Sequence, residues 1–364
     1  MTSLVKLDRP KTEVSLKSVV HHKRAWYVVA TSKDLQKAAR KKRPLQVQLY
    51  GQPLVVFRQN DGVAALLDRC PHRGVPLSKG NIREGRISCG YHGWEFDDEG
   101  ECQHIPCLQG SPKAKARRVP AFAAQEKDGY VWVFGEAGGK PDEKPFSFPL
   151  LDDDKYSIIR ADVVMDGSLQ QVAENALDVP HTAYLHGGLF RKEGAGNKID
   201  VVIRRNSERC EAEYIGEPSP KGIIGKILAP GGGVVEHFDR FLLPCISQVE
   251  YSLGKKSHIL VTAALTPIDD FRTRLFGCVA LRLPVPLPLS LLGEMLKPLA
   301  MSILQQDARM LKLQTETAQA FGEETQISTD IDCLGPHILR LLKDAADGKA
   351  EREEEVVKRF SMVV

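Results

Sequence analysis

Two short residue pairs in this 364-residue chain have the composition of a metal site: Cys70 and His72, one residue apart, and Cys89 and His92, two apart, with sixteen residues between the pairs. Each pair offers one thiolate and one imidazole. The segment from Cys70 to Trp94 is rich in Pro and Gly, so its backbone can wrap closely round a metal. A zinc site usually takes both cysteines from one half and both histidines from the other. Mixed halves suit a [2Fe–2S] cluster better, with the cysteines on one iron and the histidines on the other. Zinc, or four unconnected core residues, are the competing readings.

A second group lies a hundred residues on. Glu174 to His186 carries Asn175, Asp178, His181 and His186. Two histidines and one carboxylate on one face of Fe(II) leave positions open for O2 and a substrate. Taken alone, a histidine pair five apart reads equally well as surface or core histidines. Asp178, three residues before His181, shares its face if the segment is helical. The carboxylate ligand has to come from far along the chain, with Asp307, Asp269, Asp270 and Asp330 as candidates. Gln306, next to Asp307, is either a hydrogen-bond partner of the site or simply exposed.

The elements that must position these groups follow from the apolar pattern. QVQLYG, LVVFRQ and GVAALLD read as short strands, the last two joined in a hairpin through Gln59-Asn60-Asp61-Gly62. YVWVFG, 130–135, closes this β-rich region, and the Gly, Pro and charges of 135–149 predict a surface linker. Residues 168–186 have apolar positions at 169, 172, 173, 176 and 177, the spacing of a helix interrupted near Pro180. DVVIRR, CEAEYIG, HFDRFLL, ISQVEYSL and HILVTAAL predict strands, and the region from about Met295 to Leu342 is again helical. A β domain followed by an α+β domain results.

The Cys70–Trp94 segment, with Arg73-Gly74 after the first His and Gly90-Tyr91-His92-Gly93-Trp94 at the second, closely resembles the Rieske motif of non-haem iron oxygenases. The resemblance extends from Trp26-Tyr27 to Gly129-Tyr130-Val131-Trp132. Arg73, Gly74 and Val75 stand where the cytochrome bc type has an extra cysteine, which favours the oxygenase variant. Asn175 to His186 resembles the family's N-x-x-D-x-x-H-x-x-x-x-H element, and the stretch around Gln306-Asp307 its late carboxylate motif.

The resemblance implies an α+β chain: an all-β Rieske [2Fe–2S] domain, residues 1–140, then a helix-grip-like catalytic domain with an antiparallel sheet and flanking helices, residues 141–364. It implies a cluster on Cys70, His72, Cys89 and His92, a mononuclear Fe(II) on His181, His186 and Asp307, and Asp178 bridging a neighbouring subunit's cluster to this iron. The implied protein is a homotrimeric terminal oxygenase, with electrons from NAD(P)H through a separate ferredoxin or flavin reductase. A monooxygenase, hydroxylating or oxidatively demethylating, is favoured over a cis-dihydroxylating arene dioxygenase. A Rieske electron carrier without oxygenase activity is the reading from another class.

Composition fits this picture. No apolar run resembles a signal peptide or spans a bilayer, so a soluble, cytoplasmic protein is expected. The eight cysteines then remain reduced, Cys102 and Cys107 among them as partly buried thiols. None of the glycine clusters at 187–188, 194–196 and 231–233 forms a nucleotide-binding motif. The stretch 275–298 is very apolar, though its longest uncharged run is only the eleven residues from Leu283 to Gly293. It reads as a buried strand with a proline-stiffened loop, or as the mouth of a pocket for a polycyclic, steroid-like or pigment-like hydrophobic substrate.

The net charge of +3 conceals an asymmetry. Residues 1–150 hold 25 Lys+Arg against 16 Asp+Glu, a net +9; the totals of 50 and 47 then leave 25 against 31, a net −6, for the rest. The basic runs 37–43 and 113–118 lack the interleaved aromatics of nucleic-acid modules. They read as solvated faces or as a docking surface for an acidic reductase.

Overall fold

The apolar runs of the first region fold as antiparallel strands. β1 (Trp26–Thr31) leads into helix α1 (Ser32–Arg40), where the Thr31 hydroxyl accepts from the Asp34 N–H at 3.1 Å and caps the first turn. β2 (Leu45–Leu49), β3 (Gln52–Gln59) and β4 (Gly62–Leu67) form a meander, with Gln59 opposite Gly62 across the expected hairpin turn. β5 (Asn81–Arg83), β6 (Arg86–Ser88), β7 (Glu95–Phe96) and β8 (Cys102–His104) make a small sheet of their own. β9 (Ala121–Phe122) pairs with β4, while β10 (Ala124–Lys127) and β11 (Tyr130–Phe134) complete a sheet with β1. In this computed structural model the described residues are 16–186, 196–218, 235–253, 257–284, 289–349 and 355–363, with backbone only at 289, 290 and 292.

Residues 135–149 contain no regular element, and the large sheet follows them. Its strands are β12 (Ser157–Met165), β13 (Lys198–Arg205), β14 (Arg209–Ile215), β15 (Val235–Leu242), β16 (Ile246–Leu253), β17 (Ser257–Asp269), β18 (Arg272–Arg282) and β19 (Val356–Val363). They run in the order β12-β18-β17-β16-β15-β14-β13-β19, each pair antiparallel. The helices α2 (Leu169–Ala176), α3 (His181–Leu185), α4 (Leu289–Phe321) and α5 (Gly335–Ala346) accompany it. One hydrophobic core runs from β1 and β11 through the sheet to α2, α4 and α5. Backbone bonds also join the two regions, Tyr50 N–H to the Pro267 carbonyl at 2.8 Å and Gly51 N–H to that of Ile268 at 2.7 Å.

Two sequence expectations need correction, and one strand was missed. The late helical region is two helices: Gly322, at φ 73°, ends α4 in the left-handed conformation glycine favours, and Pro336 lies in the first turn of α5, where its missing N–H is not needed. β19 was not anticipated, because it pairs with β13 from the far end of the chain. In the apolar stretch, β18 is the expected buried strand, but helix begins at Leu289; residues 285–288, like Gly187, Gly188, Gly194 and Gly231 to Gly233, lie outside the described residues. Among the described residues no helix is long and apolar enough to cross a membrane.

Candidate metal centres

The two Cys/His loops have the same backbone design. In the β4–β5 connection, Cys70 N–H donates to the Val75 carbonyl at 2.9 Å and Gly74 N–H donates back to that of Cys70 at 2.9 Å. In the β6–β7 connection, Cys89 N–H donates to the Trp94 carbonyl at 2.8 Å and Gly93 N–H to that of Cys89 at 3.0 Å. Gly74 and Gly93, four residues after each cysteine, take φ 73° and 70°, a left-handed turn that bends each loop back on itself. Both thiols are buried, and the two histidine rings lie 4.6 Å apart, with His72 stacked on Trp94 at 4.7 Å and 7°. His92 is exposed beside Tyr91, which is 62% exposed.

These four residues form two pairs rather than one tetrahedron. Among the described residues only His181, His186 and Asp307 bring three ligand atoms within 4.8 Å of one another. A thiol pair beside an imidazole pair is the donor set of two linked irons; a single zinc ion needs all four atoms at one point. Burial, with the Cys89 thiol alongside, pushes the Cys70 thiol up to about 11, an arrangement a bound cation would reverse. The His72 Nδ1 is buried with no hydrogen-bond partner, a cost that ligation would remove. The residues fit a Rieske cluster. Cys102 is fully buried, with its Sγ 3.7 Å from the His104 carbonyl, and Cys107 is exposed, so only the first resembles the partly buried thiol expected of both.

The second group is assembled by local chain turns. Ser168 and Gln171 form a capping box at the start of α2, which ends at Ala176. Leu177, Asp178, Val179 and Pro180 separate it from α3, so Asp178 meets His181 across a break and not along a helix face. His181 opens α3. His186 follows its last residue in a non-helical conformation, φ −102° and ψ 35°. On a continuous helix residues five apart point roughly 140° away from each other. Leaving the helix lets His186 turn back, and the two Nε2 atoms come within 3.2 Å.

Asp307 arrives from α4. With Leu311, Thr315 and Ala318 it forms the buried stripe of that helix, at i, i+4, i+8 and i+11. Burying Leu311 contributes about 1.5–3 kcal/mol, and the Thr315 hydroxyl donates to the Asp166 carbonyl at 2.9 Å, so the stripe fixes the rotation that aims Asp307 inward. Its Oδ1 is 3.2 Å from His186 Nε2 and 3.5 Å from His181 Nε2. These separations match neighbouring ligands of one first-row ion at bond lengths of about 2.0–2.2 Å. Asp307 Oδ1 is also buried without a hydrogen-bond donor, an arrangement that a cation would satisfy.

The surrounding residues orient the imidazoles. His186 Nδ1–H donates to Gln306 Oε1 at 2.7 Å, which leaves the Nε2 lone pair for the centre. Gln306 is therefore an acceptor at the site. Asp178 accepts the His181 backbone N–H at 3.2 Å and lies 3.3 Å from its Nδ1, though that ring N–H is not well aimed at it. Burial opposes the His181 imidazolium, but Asp178 and Asp307 outweigh burial and carry it up to about 9. The competing aspartates are engaged elsewhere: Asp269 with Arg272, Asp270 with His21 and Asp330 with Lys358.

Sequence reasoning missed the surroundings of Asp178. A recess of about 270 Å³ is lined by Glu174, Asn175, Asp178, Met310, Ile327 and Asp332. Burial pushes the Glu174 carboxyl up, the Gln170 hydrogen bond opposes it, and Asp332, Asp178 and Glu324 add to the rise. Tyr184, Phe321 and Ile327 are strongly exposed in the same stretches of chain. Glu174 and Asp332 lie 158 residues apart, so only the packing of α2 against α5 reveals their common site.

Comparison with known proteins adds to this geometry. Residues 25–122 match the Rieske [2Fe-2S] domain and residues 165–348 the Vanillate O-demethylase oxygenase C-terminal domain. Chlorophyllide a oxygenase, chloroplastic, of Arabidopsis thaliana is 26% identical over 378 residues, taking in 95% of this chain and 63% of that protein. The oxygenase component of dicamba O-demethylase from Stenotrophomonas maltophilia is 34% identical over 211 residues, 56% of this chain and 59% of that protein. The chain thus spans less than two thirds of either relative's length. Among solved structures, Pseudomonas putida CBB5 NdmA with caffeine shares the fold, with a TM-score of 0.75 at 24% identity over 92% of this chain and 96% of that one.

Proposed function

Because the chain belongs to the Rieske oxygenase family with a vanillate O-demethylase-type C-terminal domain, we propose that it is the terminal component of a Rieske non-haem iron system. In this reading it uses O2 and electrons from NAD(P)H, delivered by a separate reductase, to hydroxylate or oxidatively demethylate a hydrophobic substrate. The observation that carries the proposal is the His181–His186–Asp307 triad, three donors converging behind a two-loop cluster domain. An electron carrier has no use for that triad. The division at 140/141 is part of the same proposal, and the two matched stretches fall on either side of it.

Cys70, Cys89, His72 and His92 would hold the cluster, and His181, His186 and Asp307 the iron; when bound, the cluster supplies single electrons and the iron the oxygen chemistry. The protein's own work is orientation. Gln306 fixes the His186 tautomer, and Asp178 holds His181 through its backbone N–H and lies beside its ring. The stripe of α4 sets the angle of Asp307. Trp94, stacked on His72, holds one edge of the cluster site, while His92 and Tyr91 leave the other open.

A homotrimer, in which the exposed His92 loop of one copy meets the acidic recess at Asp178 of the next, is part of the same reading. A monooxygenase is favoured because the matched C-terminal domain is that of an O-demethylase and a 34%-identical relative is another. The hydrophobic substrate is supported by the uncharged run from Leu283 to Gly293, of which 285–288 lie outside the described residues.

Reaction under 18O2 with a reductase, NADPH and a panel of aromatic methyl ethers, N-methyl heterocycles and polycyclic compounds tests this reading. One labelled oxygen in the hydroxylated product, or formaldehyde released with one O2 consumed, is expected. A cis-diol bearing two labelled oxygens would contradict the monooxygenase.

A further inference from the structure

The two basic runs differ in what holds them. In the second, Lys113 pairs with Glu101 at 3.3 Å, Arg118 with the same carboxylate at 3.9 Å, and Arg117 donates to the Ser111 and Pro112 carbonyls at 3.1 Å. In the first, Lys37, Arg40, Lys41, Lys42 and Arg43 are all exposed, and among the described residues none has a carboxylate within ion-pair distance. Asp34, the acid in this stretch, is turned back to accept from the Thr31 hydroxyl at 2.7 Å.

The chain presents these cations in a fixed shape. At the end of α1, Lys42 N–H donates to the Ala39 carbonyl at 2.8 Å and Arg43 N–H to that of Ala38 at 3.0 Å, closing a helix-terminating turn. Lys42 occupies its left-handed position, φ 53°, where glycine is the usual residue and an L side chain costs about 1–2 kcal/mol. A lysine thus stands at a position whose backbone favours glycine. Beside it lies a groove of about 450 Å³ lined by apolar residues, among them Val29, Leu45 and Val47, together with Lys37, Lys41 and Arg43.

The same turn is tied to the cluster-binding loops. Arg43 donates to the Gly80 carbonyl at 3.1 Å, and Ile82 N–H donates to the Lys42 carbonyl at 2.9 Å. Gly80 is so close to the chain just before Cys89 that a Cβ there would lie 2.0 Å from the Ser88 carbonyl oxygen, and a Cβ on Gly90 would touch the Lys79 carbonyl oxygen at 3.0 Å. The unpaired cations thus stand on backbone that abuts the Cys89 loop.

We propose that the Lys37–Arg43 face is the docking surface for an acidic one-electron carrier protein of the ferredoxin type, which delivers its electron to the cluster domain beside the Cys89 loop and leaves the exposed His92 edge free. The carrier is oxidised by one electron and the cluster reduced by one. This rests on the cluster reading above and assigns its electron entry. A net +9 over residues 1–150 steers an acidic partner toward this half, and fixed cations at the contact set the orientation.

The test uses the holoenzyme and a plant-type [2Fe–2S] ferredoxin as probe. Its affinity is read by fluorescence anisotropy at low and at high salt, and cluster reduction by the pre-reduced probe by stopped flow. The triple variant Lys37→Glu, Lys41→Glu, Lys42→Glu should weaken binding and slow reduction about 30-fold at low salt and under about 3-fold at high salt, where exposed charges are screened. Lys37→Gln, Lys41→Gln, Lys42→Gln should fall between. Lys42→Gly should raise the melting temperature and still lose affinity, a pairing that a purely structural role does not produce. Lys113→Glu, Lys115→Glu should change binding less than about 3-fold.

Unchanged affinity in the triple variant would overturn the proposal, as would an equal loss in the Lys113/Lys115 variant. So would tighter binding of a DNA duplex than of ferredoxin at the same face. Failure of the cluster reading itself shows separately, as a wild-type protein with no chromophore that dithionite can reduce.

Discussion

Asp307→Ala is expected to reduce O2-dependent turnover by at least about three orders of magnitude, since the chemistry needs the bound iron, while the cluster domain keeps its iron and sulfide. Asp307 Oδ1 faces both Nε2 atoms at 3.2 and 3.5 Å, and no other carboxylate does so among the described residues. Removing it leaves two histidines, too few to retain the ion in competition with solvent. Alanine preserves helix propensity, and relief of a buried carboxylate offsets the small cavity, so α4 should stay folded. Iron analysis should find the mononuclear iron lost and the visible spectrum of the cluster unchanged. Retention of turnover in this variant would remove Asp307 from the centre.

Asp178→Asn is expected to leave both metal centres loaded and to slow turnover by about 10- to 100-fold, the range seen when a group that orients a metal-bound histidine is altered. Asparagine keeps the shape and an oxygen to accept the His181 backbone N–H, now 3.2 Å away. It loses the negative charge beside His181 Nδ1, 3.3 Å away, which in the proposed trimer would face a neighbouring copy's cluster loop. The loss should appear in the rate at which a pre-reduced cluster is reoxidised during a single turnover. Normal reoxidation in the variant would end the bridging role.

The cluster loops were legible in the sequence because each is local. A cysteine, a histidine and a turn glycine within a few residues specify the same bonded loop twice, from Cys70 to Val75 and from Cys89 to Trp94. His181 and His186 were legible as residues but not as geometry, since their convergence depends on where α3 stops. Asp307 was legible through the family motif around Gln306-Asp307, while its place on the buried stripe with Leu311, Thr315 and Ala318 emerges only from packing. Other features depend on long-range packing that periodicity does not encode. β19 pairs with β13 from the far end of the chain, Trp94 stacks on a histidine of the other loop, and Glu174 meets Asp332 only once α2 and α5 pack together. The difference between the basic runs lies in their partners: Glu101 answers one, and among the described residues no acid lies within ion-pair distance of the other.

The most direct test of the central claim is a count of iron and acid-labile sulfide per chain in protein reconstituted anaerobically, with zinc measured in the same sample. Four cluster ligands plus the triad predict three irons and two sulfides, with the third iron lost in Asp307→Ala. Two irons and two sulfides in the wild-type protein would identify an electron carrier, and zinc in place of iron would contradict both centres.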